Sequence, residues 1–351
     1  MYINKKYNLT VCGHFALGKA GFADGQTIKT RIVHSAMVEK YGQDKVYACD
    51  TYKWRTKPWV LFWNCFKSAY NSDNVIILMA SNGIKAFVPV YYFIGIITGT
   101  KIHHVAIGGG LYGYLQNHKF AKYMISNASG IYSELRSYTV RLRDIGLTNT
   151  YTMPNFKYLD IIEKNDLKTI NTSPLKLCTF SRVMPEKGIV DAINSVIKIN
   201  TKFNKEVYSL DIFGQVDSKY IDEFENLQKS FPSYIKYRGV IEQEKSTNVL
   251  KDYYLLLFPT HYKTEGLPGS IIDAYTAGVP VIASRWQGFS DVILEGITGF
   301  GYEMKNQKEL NNILVNLIDD SLVNIMRLNC IQEAQKYTPK NAISVLVDKL
   351  K

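Results

Sequence analysis

The chain has 351 residues, 46% hydrophobic and 21% charged, with a formal net charge of +11. That length predicts two domains of ordinary size, each with its own core, and the composition is that of a globular protein. The charge is uneven: residues 1–165 hold 20 Lys and Arg against 9 Asp and Glu, whereas residues 166–351 hold 22 of each.

A basic half favours a polyanion, whether nucleic acid, anionic lipid or a phosphorylated ligand. No motif that reads RNA or DNA is present and the basic residues are dispersed, so nucleic acid is not expected as a partner. The five cysteines (Cys12, Cys49, Cys65, Cys178, Cys330) are scattered singly, mostly in apolar runs. Their spacing is neither that of a disulfide framework nor that of a zinc ligand set, and it suits a reducing cytoplasm. Residues 1–10 are polar and no apolar leader core follows them, which points the same way.

Residues 9–15 read as a short apolar strand. A loop with Gly18, Gly21 and Gly25 then opens a helix over about 26–41, the usual start of a Rossmann-like unit, with Gly18 as a candidate ligand contact. Those glycines do not follow Gly-x-Gly-x-x-Gly, which argues against a dinucleotide. A strand over 45–49 ends in Asp50. Residues 52–70 hold three of the four tryptophans, and Trp59, Phe62, Trp63 and Phe66 recur at helical spacing among Lys53, Arg55, Lys57 and Lys67. The plainer expectation is a helix that packs Trp and Phe onto the sheet. The other is a helix on a membrane surface, aromatics inward and cations towards lipid phosphates.

After a strand at 75–79, residues 86–97 are almost unbroken apolar. They are too short to span a bilayer and are interrupted by Pro89 and Gly95, so a buried crossover helix is expected. A strand at 101–107, the turn Gly108-Gly109-Gly110, a helix at 119–124, a strand at 130–132, a helix at 136–147 and a strand at 150–153 complete this half. Alternating strands and helices imply a parallel, helix-covered sheet. The polar residues 165–173, closed by Pro174, are the expected linker. The pattern restarts with strands at 175–180, 207–213, 235–237, 253–258 and 279–283, helices between them, and helices at 310–317 and 322–337. Residues 341–350 are expected to return to the first domain.

Ligands of open parallel sheets bind beyond the carboxyl ends of the strands. Three such loops of the second half carry suitable groups: Arg182 with Lys187, Gly214 with Gly239, and the segment from Glu265 to Asp273. Glu265 and Asp273 lie eight positions apart, a little over two helical turns, so they point roughly the same way. The helix start between them offers free N–H groups and a positive dipole end. A helix end flanked by two acceptors suits a phosphate attached to a polyol. Arg182 and Lys187 at the same edge complete a site able to hold a diphosphate without a metal. No carboxylates show Asp-x-Asp spacing near a strand end, so no metal-bridging pair is expected.

Phe180-Ser181-Arg182-Val183-Met184-Pro185-Glu186-Lys187-Gly188, Ile212-Phe213-Gly214, Tyr237-Arg238-Gly239-Val240, and Glu265-Gly266-Leu267-Pro268 through Asp273 to Gly278-Val279-Pro280-Val281-Ile282-Ala283 occur in this order. Together they resemble the retaining glycosyltransferases of family 4, including those of bacterial surface polysaccharides. The resemblance is specific over about residues 175–302 and generic over 1–165. It implies an α/β protein of GT-B fold, two Rossmann-like domains facing across a cleft: 1–165 binding the acceptor, 174–335 binding the nucleotide-sugar, and 336–351 as a C-terminal helix.

By the same resemblance Arg182 and Lys187 bind the diphosphate, and Glu265 meets the donor sugar with the backbone of Gly266, Leu267, Pro268 and Gly269. Asp273 stands where the family more often has Glu and would hold the ribose, while Gly214, Gly239 and Val240 line the nucleotide. A first-domain histidine often lies near the sugar; His14, His103 and His104 are the candidates, with His104 preferred. No cofactor is implied: the donor is a UDP-sugar in preference to a GDP-sugar, and the acceptor a glycan or lipid-linked sugar. The expected location is cytoplasmic and peripheral to an anionic membrane face met by the basic domain. The alternatives are a non-catalytic GT-B binding partner and a sugar-nucleotide-modifying enzyme.

Overall fold

The computed structural model describes residues 6–17, 25–52, 56–79, 81–167, 169–170, 173–318 and 321–350. The chain forms two compact units, one from Met1–Tyr158 with Thr338–Lys351, the other from Leu159–Tyr337. The first unit runs β1 (Tyr7–Gly13), α1 (Gly25–Tyr41), β2 (Val46–Asp50), α2 (Pro58–Tyr70), β3 (Ser72–Met79), α3 (Ser81–Thr98), β4 (Lys101–Ala106), α4 (Leu111–Asn117), α5 (Lys119–Ser126), β5 (Gly130–Ser133), α6 (Arg136–Asp144) and β6 (Thr150–Thr152). Its six strands are parallel, in the order β2-β1-β3-β4-β5-β6. Alternation along β3 divides the core in two. Val75, Ile77 and Met79 face the layer of α2, α3 and α5, while Ile76 and Leu78 face α1. Both faces are covered, so the strand reads as an unbroken apolar run.

α2 differs from the plainer sequence expectation. It buries Leu61, Cys65 and Ala69, spaced by four, and leaves Trp59, Phe62 and Trp63 outside. Residues at i, i+4 and i+8 share one helix face, and here the small side chains occupy the inward one. Pro89 lies within α3, where it lacks the N–H that would bond one turn back.

The second unit runs β7 (Leu175–Phe180), α7 (Ile189–Phe203), β8 (Tyr208–Phe213), α8 (Ile221–Gln228), β9 (Ile235–Gly239), α9 (Ser246–Leu250), β10 (Leu255–Phe258), α10 (Gly269–Thr276), β11 (Val281–Ser284), β12 (Gly299–Tyr302), α11 (Gln307–Asn316) and α12 (Ser321–Ala334). Its strands are also parallel, ordered β12-β11-β10-β7-β8-β9. The order reverses between β7 and β10, the switch point where such sheets open a crevice at their carboxyl ends.

The chain then returns to the first unit as α13 (Pro339–Ala342) and α14 (Ser344–Lys349). Ala342, Ile343, Leu346 and Leu350 enter the core shared by Leu9, Val11 and Ile76, and Asn74 Nδ2 donates to the Leu350 carbonyl at 3.2 Å. Leu346 is fully buried. Leu346→Ala is expected to destabilise the first unit by about 2–4 kcal/mol through lost burial and the cavity left behind. Its urea unfolding midpoint would fall while that of the second unit stays put.

Candidate active site

The loops after β7 and β10 flank the second unit's switch point, and two backbone contacts fix them to each other. Gly188 has φ 65°, a left-handed conformation, and a Cβ there would sit 1.9 Å from the Pro259 carbonyl oxygen. Only glycine permits that approach. Beside it, the His261 N–H donates to the Glu186 carbonyl at 2.7 Å. This register carries Lys187 onto Glu265: the ammonium donates to both carboxylate oxygens, at 2.8 and 2.9 Å. Thr260 Oγ1 donates to the same carboxylate at 3.0 Å. The Lys187 ammonium also lies 5.1 Å from the Tyr262 ring centroid and 5.4 Å from that of Phe258, within cation–π range. Both side chains of the pair keep 15% exposure, so they are mostly desolvated yet open to a ligand.

A second glycine locks the loop after β8. At Gly214, φ 135°, a Cβ would lie 1.7 Å from the Ser181 carbonyl oxygen. Val183 donates to Gln215 and Asp217 to Val183, both at 2.9 Å, which brings Asp217 to 3.6 Å from the Arg182 guanidinium. Gly214 N donates to the Gly239 carbonyl at 2.8 Å, and Val240 beyond it is exposed. Pro268 precedes α10, whose first residue is Gly269, so that helix presents its N-terminal N–H groups at the carboxyl edge beyond Gly266 and a buried Leu267. Arg182, Lys187, Gly214, Gly239, Glu265 and the 266–269 backbone thus all lie at the carboxyl edge of one sheet. Asp273 lies a turn deeper; it is 1% exposed and accepts from Ser246 Oγ at 3.2 Å.

Two residues of this edge carry no signal in the sequence. His261 Nε2 lies 2.8 Å from Asp191 Oδ2, bracing the β10 loop against the first turn of α7, and Asp217 holds Arg182. Their partners are 70 and 35 positions away, a separation at which spacing says nothing.

In the first unit, Gly18 lies outside the described residues. His14 follows β1, with Nδ1 2.8 Å from Thr27 Oγ1. His103 and His104 sit side by side in β4 and face opposite ways. His103 bonds to Tyr132 Oη at 3.1 Å and Asn74 Oδ1 at 3.2 Å. His104 is 1% exposed beneath α3 and α5, and neither ring nitrogen has a hydrogen-bond partner among the described residues. Lys29 and Glu134 form a buried pair, Lys29 also donating to the Ala106 carbonyl at the end of β4. The thiols of Cys12, Cys49 and Cys65, far apart in sequence, lie within 4.8 Å of one another in the core of this unit. Among the described residues this is the group that could hold a metal, and three sulfurs would suit a thiophilic ion.

The sequence profile of the family described as Glycosyl transferases group 1 matches residues 160–337. An uncharacterized glycosyltransferase of Methanocaldococcus jannaschii is 25% identical over 171 residues, 47% of this chain and 41% of that protein. The Escherichia coli UDP-Gal:alpha-D-GlcNAc-diphosphoundecaprenol alpha-1,3-galactosyltransferase is 32% identical over 83 residues, 24% of this chain and 21% of that one. The matches therefore span less than half of either curated relative. Among solved structures, Anabaena HepE in complex with UDP aligns with a TM-score of 0.74 at 16% identity, covering 97% of this chain and 98% of the other. That likeness, together with the two six-stranded parallel sheets, shows a GT-B fold.

Lys187→Met leaves the Glu265 carboxylate without its cation in a mostly desolvated site, at an expected cost of about 2–3 kcal/mol, less than for a fully buried pair. Lys187→Met with Glu265→Leu should recover part of that, read as a double-mutant cycle in urea. Burial first, and then the charges of Lys101 and Lys29, lowers His103 and His104 to about 4. The unfolded chain therefore binds protons first, and stability is lost as pH falls from about 6.5 towards 4. His104→Leu should flatten that fall, measured as the change in urea midpoint across the same interval.

Proposed function

The chain belongs to the glycosyl transferases group 1 family, and on that premise we propose that it moves a sugar from a nucleoside diphosphate to a glycan or lipid-linked acceptor, with retention at the anomeric carbon. The observation that carries this reading is the Lys187 ammonium bound through both oxygens of Glu265 at the switch point, next to the start of α10. A cation, a carboxylate and a helix N-terminus on one edge can hold, respectively, a diphosphate, the hydroxyls of a sugar and further phosphate oxygens. Arg182 adds a second cation. Its contact with Asp217 is long and half exposed, the kind of pair worth about 0–1 kcal/mol, so a phosphate can take its place at small cost.

In the proposed reaction the bond from the anomeric carbon to the diphosphate oxygen breaks and its electron pair leaves with the phosphate. The acceptor oxygen bonds to the same face of that carbon and gives its proton to the departing phosphate oxygen. The transition state resembles an oxocarbenium ion, as in glycoside hydrolysis. Arg182, Lys187 and the α10 end offset the charge growing on the phosphate, so the reading requires no divalent ion. Glu265 accepts hydrogen bonds from the donor sugar. Asp273, one bond shorter than Glu, would hold the ribose while accepting from Ser246 through Oδ1.

UDP is favoured as the donor nucleotide for two reasons: the Escherichia coli relative is named for UDP-Gal, and the Anabaena structure is a complex with UDP. The former is also named for a diphosphoundecaprenol substrate, which supports a lipid-linked acceptor and a place in cell-surface polysaccharide synthesis. UDP, added without divalent metal, should raise the melting temperature of the wild type. Glu265→Ala should abolish transfer yet keep that shift, whereas Arg182→Ala should shrink it. Absence of stabilisation by every nucleoside diphosphate tested would overturn the reading.

A further inference from the structure

α2, α3 and α5 cover one face of the first unit's sheet, and their outward surface is apolar. Trp59 is 83% exposed and Ile97 74%, with Phe62, Trp63, Phe93 and Ile96 also exposed on the same two helices. Between α2 and α3 runs a groove of about 370 Å³ floored by Phe66 and Pro89. Contiguous apolar surface on this scale is uncommon on a soluble monomer and marks an interaction site. Its existence follows from the register of α2 already described: the small residues face the sheet, so Trp59 and Trp63 are left outside, with Trp63 stacked on Phe66 of its own helix at 5.8 Å between ring centroids.

The charge of the segment that builds it points to the occupant. Residues 56–133 hold six lysines (Lys57, Lys67, Lys85, Lys101, Lys119, Lys122) and no arginine, against a single acid, Asp73. α2, α3 and α5 contain no Asp or Glu at all. A protein partner would tolerate mixed charge around an apolar centre; a sheet of phosphates would not, because each carboxylate is repelled and each lysine attracted. No helix among the described residues is long and apolar enough to cross a membrane. We propose that this face docks on an anionic phospholipid bilayer, with Trp59, Trp63, Ile96 and Ile97 at the boundary of headgroups and acyl chains and the surrounding lysines on lipid phosphates. The inference goes beyond the transferase reading and does not depend on it.

The full chain would be sedimented with vesicles of phosphatidylglycerol and phosphatidylethanolamine, and with phosphatidylcholine alone, at low and high salt. The expected result is binding to the anionic vesicles that weakens by roughly tenfold or more at high salt, with a blue shift of tryptophan emission. Trp59→Ser with Trp63→Ser should weaken binding by about tenfold or more, as should Lys119→Glu with Lys122→Glu. Trp59, Trp63 and Lys119 are exposed and Lys122 is half-buried, and unchanged melting temperatures would show that both variants fold. No vesicle binding, equal binding to phosphatidylcholine, or full retention in the double tryptophan variant would overturn the proposal. So would a stable dimer in light scattering that Trp63→Asp dissociates while vesicles are ignored, since the face would then belong to a second copy of the chain. Failure of UDP to bind would leave these results standing, which separates the two readings.

Discussion

The arrangement of the second unit's edge depends on one close approach, the backbone of Gly188 against the carbonyl of Pro259. Two main chains can come this near only where one lacks a Cβ, and the left-handed φ at the same residue sends the chain straight into α7. From that contact follow the Glu186–His261 hydrogen bond, the reach of Lys187 to Glu265 and the brace between His261 and Asp191. Gly214 against Ser181 repeats the device one loop over, and there it sets Arg182 beside Asp217. The groups that do the chemistry are long and flexible; the glycines that aim them are not.

Alternating strands and helices were legible because both sheets are parallel and buried on two faces, which writes each central strand as an unbroken apolar run. β12 was not legible. Gly299-Phe300-Gly301-Tyr302 has no strand periodicity, and its glycines are dictated by neighbours: a Cβ at 299 would lie 1.9 Å from the Val281 carbonyl, and one at 301 would meet the Phe289 ring. Residues selected by another element's backbone or ring leave no local pattern to read. α2 misled for a related reason. Aromatic spacing marks a helical face but not its direction, and direction was decided by Leu61, Cys65 and Ala69, which pack closer to the sheet than any tryptophan could.

At the edge itself, Arg182, Lys187 and Glu265 stood out in sequence because each lies in a short loop directly after a strand. What spacing could not convey is that the cations are already paired with carboxylates of their own. Pairing lowers the cost of holding charge in a half-desolvated crevice, and it means an incoming anion competes with an existing partner. The weaker pair, Arg182 with Asp217, is the easier to displace; the tighter one, Lys187 with Glu265, holds both groups in place while that happens. The cysteines show the same limit from another side, since three thiols on two strands and a helix converge with no trace in their spacing.

The return of the chain to its first unit has a consequence for the order of assembly. Residues 159–337 are continuous, so the second unit is complete once they have been made. The first unit is begun earlier but its core closes on Leu346, and the shorter of the Asn74 Nδ2 hydrogen bonds, 3.2 Å against 3.5 Å to Asn8, is made to residue 350. Until then the apolar side chains of β1 and β3 that face α14 lack their cover. The half synthesised first is therefore the half finished last, and it must wait partly open through the making of the other.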